Sequence, residues 1–405
     1  MSAPRAAVEV DALLGVRPRI ALEPGTLDEA AEAMRALARD GSAVAFVGGG
    51  TDLELGVPPT RLDAVLHTRR LDRIREHAPS DQIVAVEAGI TVAALQRHLA
   101  PHGQRLALDP PHPERATVGG VLAANAFGPL RTRHGAVRDL VIGITLVRAD
   151  GVVARGGGKV VKNVAGFDLP RLLCGSLGTL ALVAEVVFRL HPLPEASATV
   201  AIGGLSAAEV RSVTRAALEA RLEPSAVAAL HEEGGFRLAI RFEGFAPGVR
   251  EQAERLLALD ARGERLAGAD EAALWARHDA LRAAGDVRAK AAFLPAALEA
   301  AVRGALEPVV ATLGSGALVL YPTLGIAFAG GRLDRADATG SAVAAARAAL
   351  RAGNGSLVLA AAPPALRARA DPWGDPPPAV EVMRRLKREL DPDGRLAPGR
   401  LAGGI

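Results

Sequence analysis

Three short segments rich in glycine and hydroxyl residues constrain this chain more than any other feature of its sequence. They are Gly48-Gly49-Gly50-Thr51-Asp52, Ala116-Thr117-Val118-Gly119-Gly120 and Gly175-Ser176-Leu177-Gly178-Thr179. Consecutive glycines let a backbone approach a ligand closely and point several N–H groups at an anion, most often a phosphate. Three such segments within about 130 residues predict one extended ligand with a pyrophosphate and a planar ring.

The first segment follows a predicted apolar strand, 43–47, but matches neither of the common phosphate-binding motifs. The G-x-G-x-x-G spacing of the Rossmann fold is absent, and no Gly-Lys-Ser/Thr follows as in a Walker loop. An ordinary tight turn is the alternative for each segment taken alone.

The pattern of apolar residues predicts an α+β chain in three parts. Residues 15–193 alternate strands with helices, among them helices over 27–39 and 91–100. Residues 195–362 form a second domain with an antiparallel or mixed sheet. Its predicted strands lie near 198–202, 237–242, 317–321 and 325–329, and its predicted helices near 206–221, 247–259, 270–284, 295–313 and 335–351. A Pro-rich connector precedes the last part, 376–405, which contains one amphipathic helix from about Val380 to Leu390.

Composition excludes several function classes. Aromatic residues make up 3% of the chain, too few for a single-strand nucleic-acid binder or an interfacial membrane anchor, which rely on aromatic side chains. The net charge of +3 implies no polyanion partner. Cys174 is the one cysteine, and no signal peptide or transmembrane segment is evident. We therefore expect a soluble, cytoplasmic protein.

The glycine segments and their surroundings resemble the FAD-binding domain of the vanillyl-alcohol oxidase/p-cresol methylhydroxylase (PCMH) flavoproteins. The resemblance rests on 47–53, 116–128, 134–139 and 166–185. Residues 157–169 and 391–401 are similar, more narrowly, to the E-type FAD-binding subunits of bacterial glycolate oxidases. The fold implied is a two-subdomain, PCMH-type FAD-binding domain, an α+β cap domain, and a C-terminal helix that returns to the FAD domain.

The resemblance also implies non-covalently bound FAD and the residues that hold it. Gly48–Asp52 would cradle the pyrophosphate through main-chain N–H groups, and the second segment would line the diphosphate and the isoalloxazine. Asn125 and Gly128 would shape the ring pocket, and the third segment would close over the adenosine and ribityl region. The full implied set is Val47, Gly48, Gly49, Gly50, Thr51, Asp52, Pro110, Thr117, Val118, Gly119, Gly120, Asn125, Gly128, Lys162, Asp168, Ser176, Gly178, Thr179 and Val186.

Catalytic residues are not assigned from the sequence. The related catalytic D-type subunits carry a late His-rich motif and a Glu-His-Gly segment that suit a metal and a hydroxyacid, whereas Ala317–Gly330 of this chain has no His. We predict no metal site. Five residues are candidates for an approach to the flavin, with a structural or solvated role as the alternative. They are His112, His134, Arg282, Arg288 and Lys290.

The function implied is that of the FAD-binding subunit of a glycolate oxidase complex, which oxidises glycolate, a small 2-hydroxyacid, to glyoxylate. The implied partners are a D-type flavoprotein subunit and an iron–sulfur F-type subunit, which would also account for any attachment to the inner face of the membrane. The alternatives are a stand-alone FAD-dependent 2-hydroxyacid dehydrogenase and a scaffold without its own catalysis. The flavin subunit of a molybdenum hydroxylase is a further alternative, against which 159–169 and 391–401 argue.

Overall fold

The computed structural model describes residues 4–160 and 166–405, and this part of the chain is a mixture of strands and helices. The strands are β1 Arg5–Ala6, β2 Ile20–Leu22, β3 Val44–Val47, β4 Ala64–His67, β5 Ile74–Ala78, β6 Ile83–Glu87, β7 Gln104–Arg105, β8 Val141–Val147, β9 Val153–Gly157, β10 Leu182–Arg189, β11 His191–Pro192, β12 Ala196–Leu205, β13 Ala226–Glu232, β14 Gly235–Gly244, β15 Glu264–Leu266, β16 Val287–Ala292, β17 Leu313–Tyr321, β18 Ile326–Leu333 and β19 Ser356–Ala361.

The helices complete the α+β class predicted from the sequence. They are α1 Leu27–Arg39, α2 Val92–Leu99, α3 Val118–Ala124, α4 Arg131–His134, α5 Val137–Leu140, α6 Leu169–Leu173, α7 Ala207–Glu219, α8 Ala246–Leu259, α9 Gly268–Arg282, α10 Leu298–Ala301, α11 Glu307–Val310, α12 Ala336–Ala352, α13 Pro364–Arg367 and α14 Val380–Leu390. Within the described ranges, every helix is too short or too polar to cross a lipid bilayer.

The chain divides into two compact units. The first unit comprises Met1–Gly128, Gly135–Leu193 and Asp375–Ile405, and the second comprises Pro129–His134 and Pro194–Gly374. The sequence pattern does not predict that the short segment Pro129–His134 belongs to the second unit.

The first unit is built on two main sheets. One has the order β1-β2-β4-β3, in which β2 and β3 run parallel to β4. The other has the order β5-β6-β10-β8-β9 and is antiparallel throughout. Helix α1 covers the first sheet with its Ala and Met side chains, and begins where Thr26 Oγ1 accepts the N–H of Glu29. Helices α2 and α3 pack on the second sheet.

The second unit is one antiparallel sheet with the order β15-β12-β14-β13-β17-β18-β16-β19, packed against helices that include α7, α8 and α12. The sequence pattern found four of these strands and missed β13, β15, β16 and β19. It also predicted one helix over 295–313, whereas the structure has α10 and α11 joined by the π-helical turn Val302–Leu306. Strands β13, β16 and β19 are rich in alanine, whose weak strand preference hides them from a propensity-based prediction.

The C-terminal segment is part of the first unit. Leu390 packs against the core of the five-stranded sheet, and Leu396 lies in the core beneath α1. The backbone of Val44 in β3 exchanges hydrogen bonds with Arg395 and Ala397. Residues at the two ends of the sequence therefore build one core.

Candidate cofactor site

The three glycine segments line one cavity of the first unit, which opens to solvent. The wall is made of small, apolar and backbone groups with few polar side chains. It comprises Phe46, Gly48, Gly49, Gly50, Thr51, Asp52, Leu53, Thr68, Ala88, Gly119, Gly120, Ala123, Ala124, Leu177, Gly178, Ala181, Leu182, Val183 and Arg400.

The first segment leaves the end of β3 and turns tightly against its neighbours. A Cβ on Gly49 would lie 1.8 Å from the carbonyl oxygen of Arg115, and one on Gly48 would lie 2.1 Å from Thr117 Oγ1, so neither position admits a side chain. The guanidinium of Arg69 donates to the carbonyl oxygens of Gly48 and Gly49, both at 3.3 Å. This contact occupies the loop carbonyls on one side of the turn.

The polar groups that this segment offers to a ligand are mainly backbone N–H groups. Among the described residues, the amides of Gly49, Gly50 and Thr51 donate to no other backbone carbonyl. Successive N–H groups with no internal partner form a concave site for an anion. The geometry of the segment therefore fits the phosphate-binding role predicted for it.

The second segment is a helix start rather than the loop that its glycines suggested. Thr117 caps α3, since its Oγ1 accepts the N–H of Gly120 at 3.3 Å. Gly119 permits the close approach of α3 to Ala88, the residue after β6, because a Cβ on Gly119 would lie 2.7 Å from the Cβ of Ala88. Gly119 and Gly120 reach the cavity wall, as do Ala123 and Ala124 from the next turn.

The third segment is fastened to the end of α3. The N–H of Gly175 donates to the carbonyl of Leu122, and that of Leu177 donates to the carbonyl of Ala123, at 3.0 and 2.9 Å. Gly178 has a φ of +73° and packs on Phe46 of β3, which is a conformation that favours glycine. The second and third segments therefore reach the cavity as one connected structure.

Two buried polar atoms lie where α3 meets the third segment. Asn125 ends α3 in the left-handed conformation, and its Oδ1 has no hydrogen-bond partner among the described residues; the Oγ of Ser176 has none either. Buried polar atoms in proteins are nearly always paired. Neither residue lines the cavity wall, so these unpaired atoms belong to the junction between α3 and the third segment.

Arg400 contributes a cationic side chain to the cavity that was not among the predicted site residues. It is 4% exposed, lines the cavity, and donates from Nη2 to the carbonyl of Leu53 at 2.9 Å. In the sequence, the closing motif 391–401 indicates only the family resemblance. The charge of Arg400 was visible there, but its approach to the first segment was not.

Several predicted residues lie away from the cavity wall. Val118 and Val186 are fully buried in the core beneath the five-stranded sheet, and Pro110 is buried in a loop. Asp168 caps α6 through the N–H of Arg171. The remaining members of this group pack around the three segments or support them. They are Val47, Thr117, Asn125, Gly128, Ser176 and Thr179.

The sequence prediction for Lys162 falls outside the described residues. Gly157–Lys159, from the same diagnostic segment, lines a separate charged depression with Glu76 and Glu185 on the five-stranded sheet. His112 is exposed with a φ of +55°, and its carbonyl accepts the N–H groups of Arg115 and Ala116 at the start of the second segment. That is a turn-forming role.

The second unit buries the single tyrosine of the chain against a histidine. His278 Nε2 and the hydroxyl of Tyr321 are 2.9 Å apart, and Nδ1 of the same ring is 2.9 Å from Asp279 Oδ1. Burial lowers the pKa of His278. Arg282 stacks its guanidinium 4.0 Å from the centroid of the Phe328 ring. Both rings of the His278–Tyr321 pair are inaccessible to solvent, so we assign this pair to the packing of the unit.

Comparison with known proteins finds similarity to part of the first unit. Residues 18–157 match the family described as "FAD binding domain". The chain is 35% identical over 159 residues to the glycolate oxidase subunit GlcE of Escherichia coli K12, covering 39% of this chain and 45% of that subunit.

Two other relatives show comparable similarity. The glycolate oxidase subunit GlcD of Bacillus subtilis 168 is 32% identical over 182 residues, covering 45% of this chain and 39% of that subunit. A D-lactate dehydrogenase of Archaeoglobus fulgidus is 34% identical over 175 residues, covering 43% and 39%. The matched region therefore spans less than half the length of these curated relatives.

Structural comparison extends the likeness to most of the chain. A solved alkyldihydroxyacetonephosphate synthase superposes with a TM-score of 0.71 at 17% identity, over 94% of this chain and 76% of that one. At that identity the match establishes the fold alone. It confirms the PCMH-type fold that the glycine segments indicated.

Proposed function

We propose that this chain, whose residues 18–157 belong to the FAD binding domain family, binds FAD in the cavity of its first unit and serves as the flavin subunit of a glycolate-oxidising complex. The observation that carries the proposal is the convergence of the three glycine segments on one cavity. The family match covers the first two segments, and the third segment, beyond residue 157, reaches the same cavity.

The residues of the cavity have separate tasks in this proposal. The amides of Gly49, Gly50 and Thr51 would hold the pyrophosphate, and Arg400 adds a positive charge to the same cavity. The small residues Gly119, Gly120 and Ala123 leave room for a flat ring system. When bound, FAD supplies the hydride-accepting and electron-transferring chemistry.

The proposal that this chain acts as a subunit rests on two features of its sequence. Ala317–Gly330 has no His, and the chain has a single cysteine. A base for hydroxyacid oxidation and the thiolates that hold an iron–sulfur cluster would therefore come from partner chains. The similarity to GlcE and GlcD, both described as glycolate oxidase subunits, supports glycolate as the substrate of the complex.

A stand-alone 2-hydroxyacid dehydrogenase is the second candidate. The similarity to a D-lactate dehydrogenase at 34% identity favours it. The two candidates differ in one measurable property, which is dye reduction by the isolated chain with glycolate or D-lactate. Turnover by the isolated chain supports the dehydrogenase. Turnover that appears only after reconstitution with D-type and iron–sulfur subunits supports the complex.

The cofactor claim is tested by filling the cavity with a side chain. Ala123 lies on α3 with its side chain at the cavity wall, so Ala123→Leu should reduce the FAD retained per chain without disturbing the helix. Ala36→Leu on α1, a partly buried helix position outside the cavity, is the matched control. Equal flavin content in the two folded variants would refute this cavity as the FAD site.

A further inference from the structure

Three histidines of the first unit meet outside the flavin cavity. The imidazole centroids of His77 and His102 are 4.8 Å apart, those of His77 and His98 are 5.3 Å apart, and those of His98 and His102 are 5.9 Å apart. One nitrogen from each ring can be chosen so that all three lie within 4.8 Å of one another. No residue of this cluster lines the cavity.

The fold brings these residues together from three neighbouring elements. His77 lies on β5, His98 in the last turn of α2, and His102 at the end of the 3-10 turn that continues α2. His98 and His102 are four positions apart, a spacing that places two side chains on one helical face and recurs in helical zinc sites. His102 is exposed and the other two are half-buried, so an ion can reach all three.

A buried amide fixes the tautomer of His77. Gln104 Nε2 donates to the carbonyl of Pro79 at 2.7 Å, which turns Oε1 of the same amide towards His77 Nε2 at 2.9 Å. Since an amide oxygen only accepts, His77 Nε2 must carry the hydrogen, and Nδ1 keeps its lone pair. Metal-bound histidines are oriented in this way by an acceptor on their second nitrogen.

We propose that His77, His98 and His102 form a site for a divalent transition metal of the zinc class, with a fourth coordination position open to water or a ligand. Imidazole nitrogen suits zinc, copper and nickel, whereas magnesium and calcium prefer oxygen. Zinc–nitrogen bonds of about 2.0–2.1 Å in a tetrahedron place ligand atoms about 3.4 Å apart. The three nitrogens lie within 4.8 Å of one another, so binding requires a small inward rotation of the rings, for which the exposed His102 has the most room.

The test is titration of the full-length, flavin-loaded protein, without a histidine tag, with Zn²⁺ alone by isothermal calorimetry. We expect one tight site per chain. Gln104→Leu removes a hydrogen-bond partner of the ligand His77 and should weaken Zn²⁺ binding by roughly 10- to 100-fold. His102→Gln removes a ligand itself and should weaken Zn²⁺ binding by more than that. His231→Gln, an exposed position of the second unit, is the control and should leave the affinity unchanged.

Two results would overturn the site. One is a wild-type affinity for Zn²⁺ that His102→Gln does not reduce. The other is equal binding by wild type and Gln104→Leu, both folded by circular dichroism. Since His102 is exposed, its substitution leaves the core intact. The proposal is independent of flavin binding, because a loss of zinc affinity at full FAD content supports the metal site and leaves the proposed function untouched.

Discussion

Lys387 Nζ donates a hydrogen bond to the carbonyl oxygen of Thr179 at 2.8 Å, across 208 positions of sequence. The same ammonium also donates to the carbonyl of Leu396 and pairs with Asp391 Oδ2 at 2.7 Å. Burial lowers the pKa of Lys387, and the carboxylate of Asp391 opposes that change. These contacts join helix α14 to Thr179, and the residue before Thr179, Gly178, lines the cavity.

Lys387→Met should destabilise the first unit and loosen its flavin. Removing one partner of a buried ion pair costs about 3–5 kcal/mol, because the other charge stays buried. The measurement is the free energy of unfolding in urea, together with the FAD dissociation constant. Arg388→Met, one position along and exposed, is the control. A loss of unfolding free energy below about 1 kcal/mol would show that the Lys387–Asp391 pair contributes no more than a solvent-exposed ion pair.

Gly49→Ala should abolish flavin retention. The added Cβ would lie 1.8 Å from the carbonyl oxygen of Arg115, so the first and second segments would have to separate. The expected result is a colourless protein after gel filtration, measured as FAD absorbance per chain. Gly248→Ala is the control, since its Cβ would have no neighbour within 4 Å. A yellow Gly49→Ala protein would contradict the close approach of the two segments.

Cys174 should resist alkylation in the folded protein. Burial raises the pKa of its thiol to about 12, whereas a free cysteine titrates near 8.5. The thiolate, which is the reactive form, is then scarcer by a factor of roughly 2,000 at pH 8. Iodoacetamide labelling followed by mass spectrometry, with the urea-unfolded chain as reference, measures the ratio. Equal rates in the two states would contradict protection of this partly buried thiol.

The second unit should lose stability in mild acid through His278. Burial lowers the pKa of this histidine below its ordinary value, so the unfolded chain takes up a proton that the folded chain refuses. Its contribution to stability is complete above about pH 6.5 and falls as the pH decreases below that value, by at most about 1.4 kcal/mol per pH unit.

Urea unfolding between pH 7.5 and 5 measures this slope. His278→Gln should flatten it, whereas His231→Gln, at an exposed position, should not. A slope that survives His278→Gln unchanged would assign the acid sensitivity of the second unit to other groups.

Local sequence patterns were sufficient for much of the first unit. The helices predicted over 27–39 and 91–100 correspond to α1 and α2, and Thr26 and Thr91 each accept a backbone N–H at the helix start, as a cap residue does. Such signals are local, because the cap and the first turn lie within four residues of each other. The three glycine segments singled out in the sequence line one cavity.

Long-range pairing was beyond those patterns. Alanine-rich strands such as β13 gain their stability from two neighbouring strands rather than from their own residues. The start of α3 at Val118 was hidden because two glycines follow it, and only the contact of Gly119 with Ala88 explains their presence in a helix.

The sequence by itself determined the class of the fold, the flavin family and the residues of the three segments, since glycine geometry and helix capping are properties of a few adjacent residues. Only the tertiary structure decided that Arg400 lines the cavity, that Lys387 holds the third segment, and that His77 meets His98 and His102. Each of these relationships joins residues whose separation along the chain carries no signal, because it is created when sheets and helices pack.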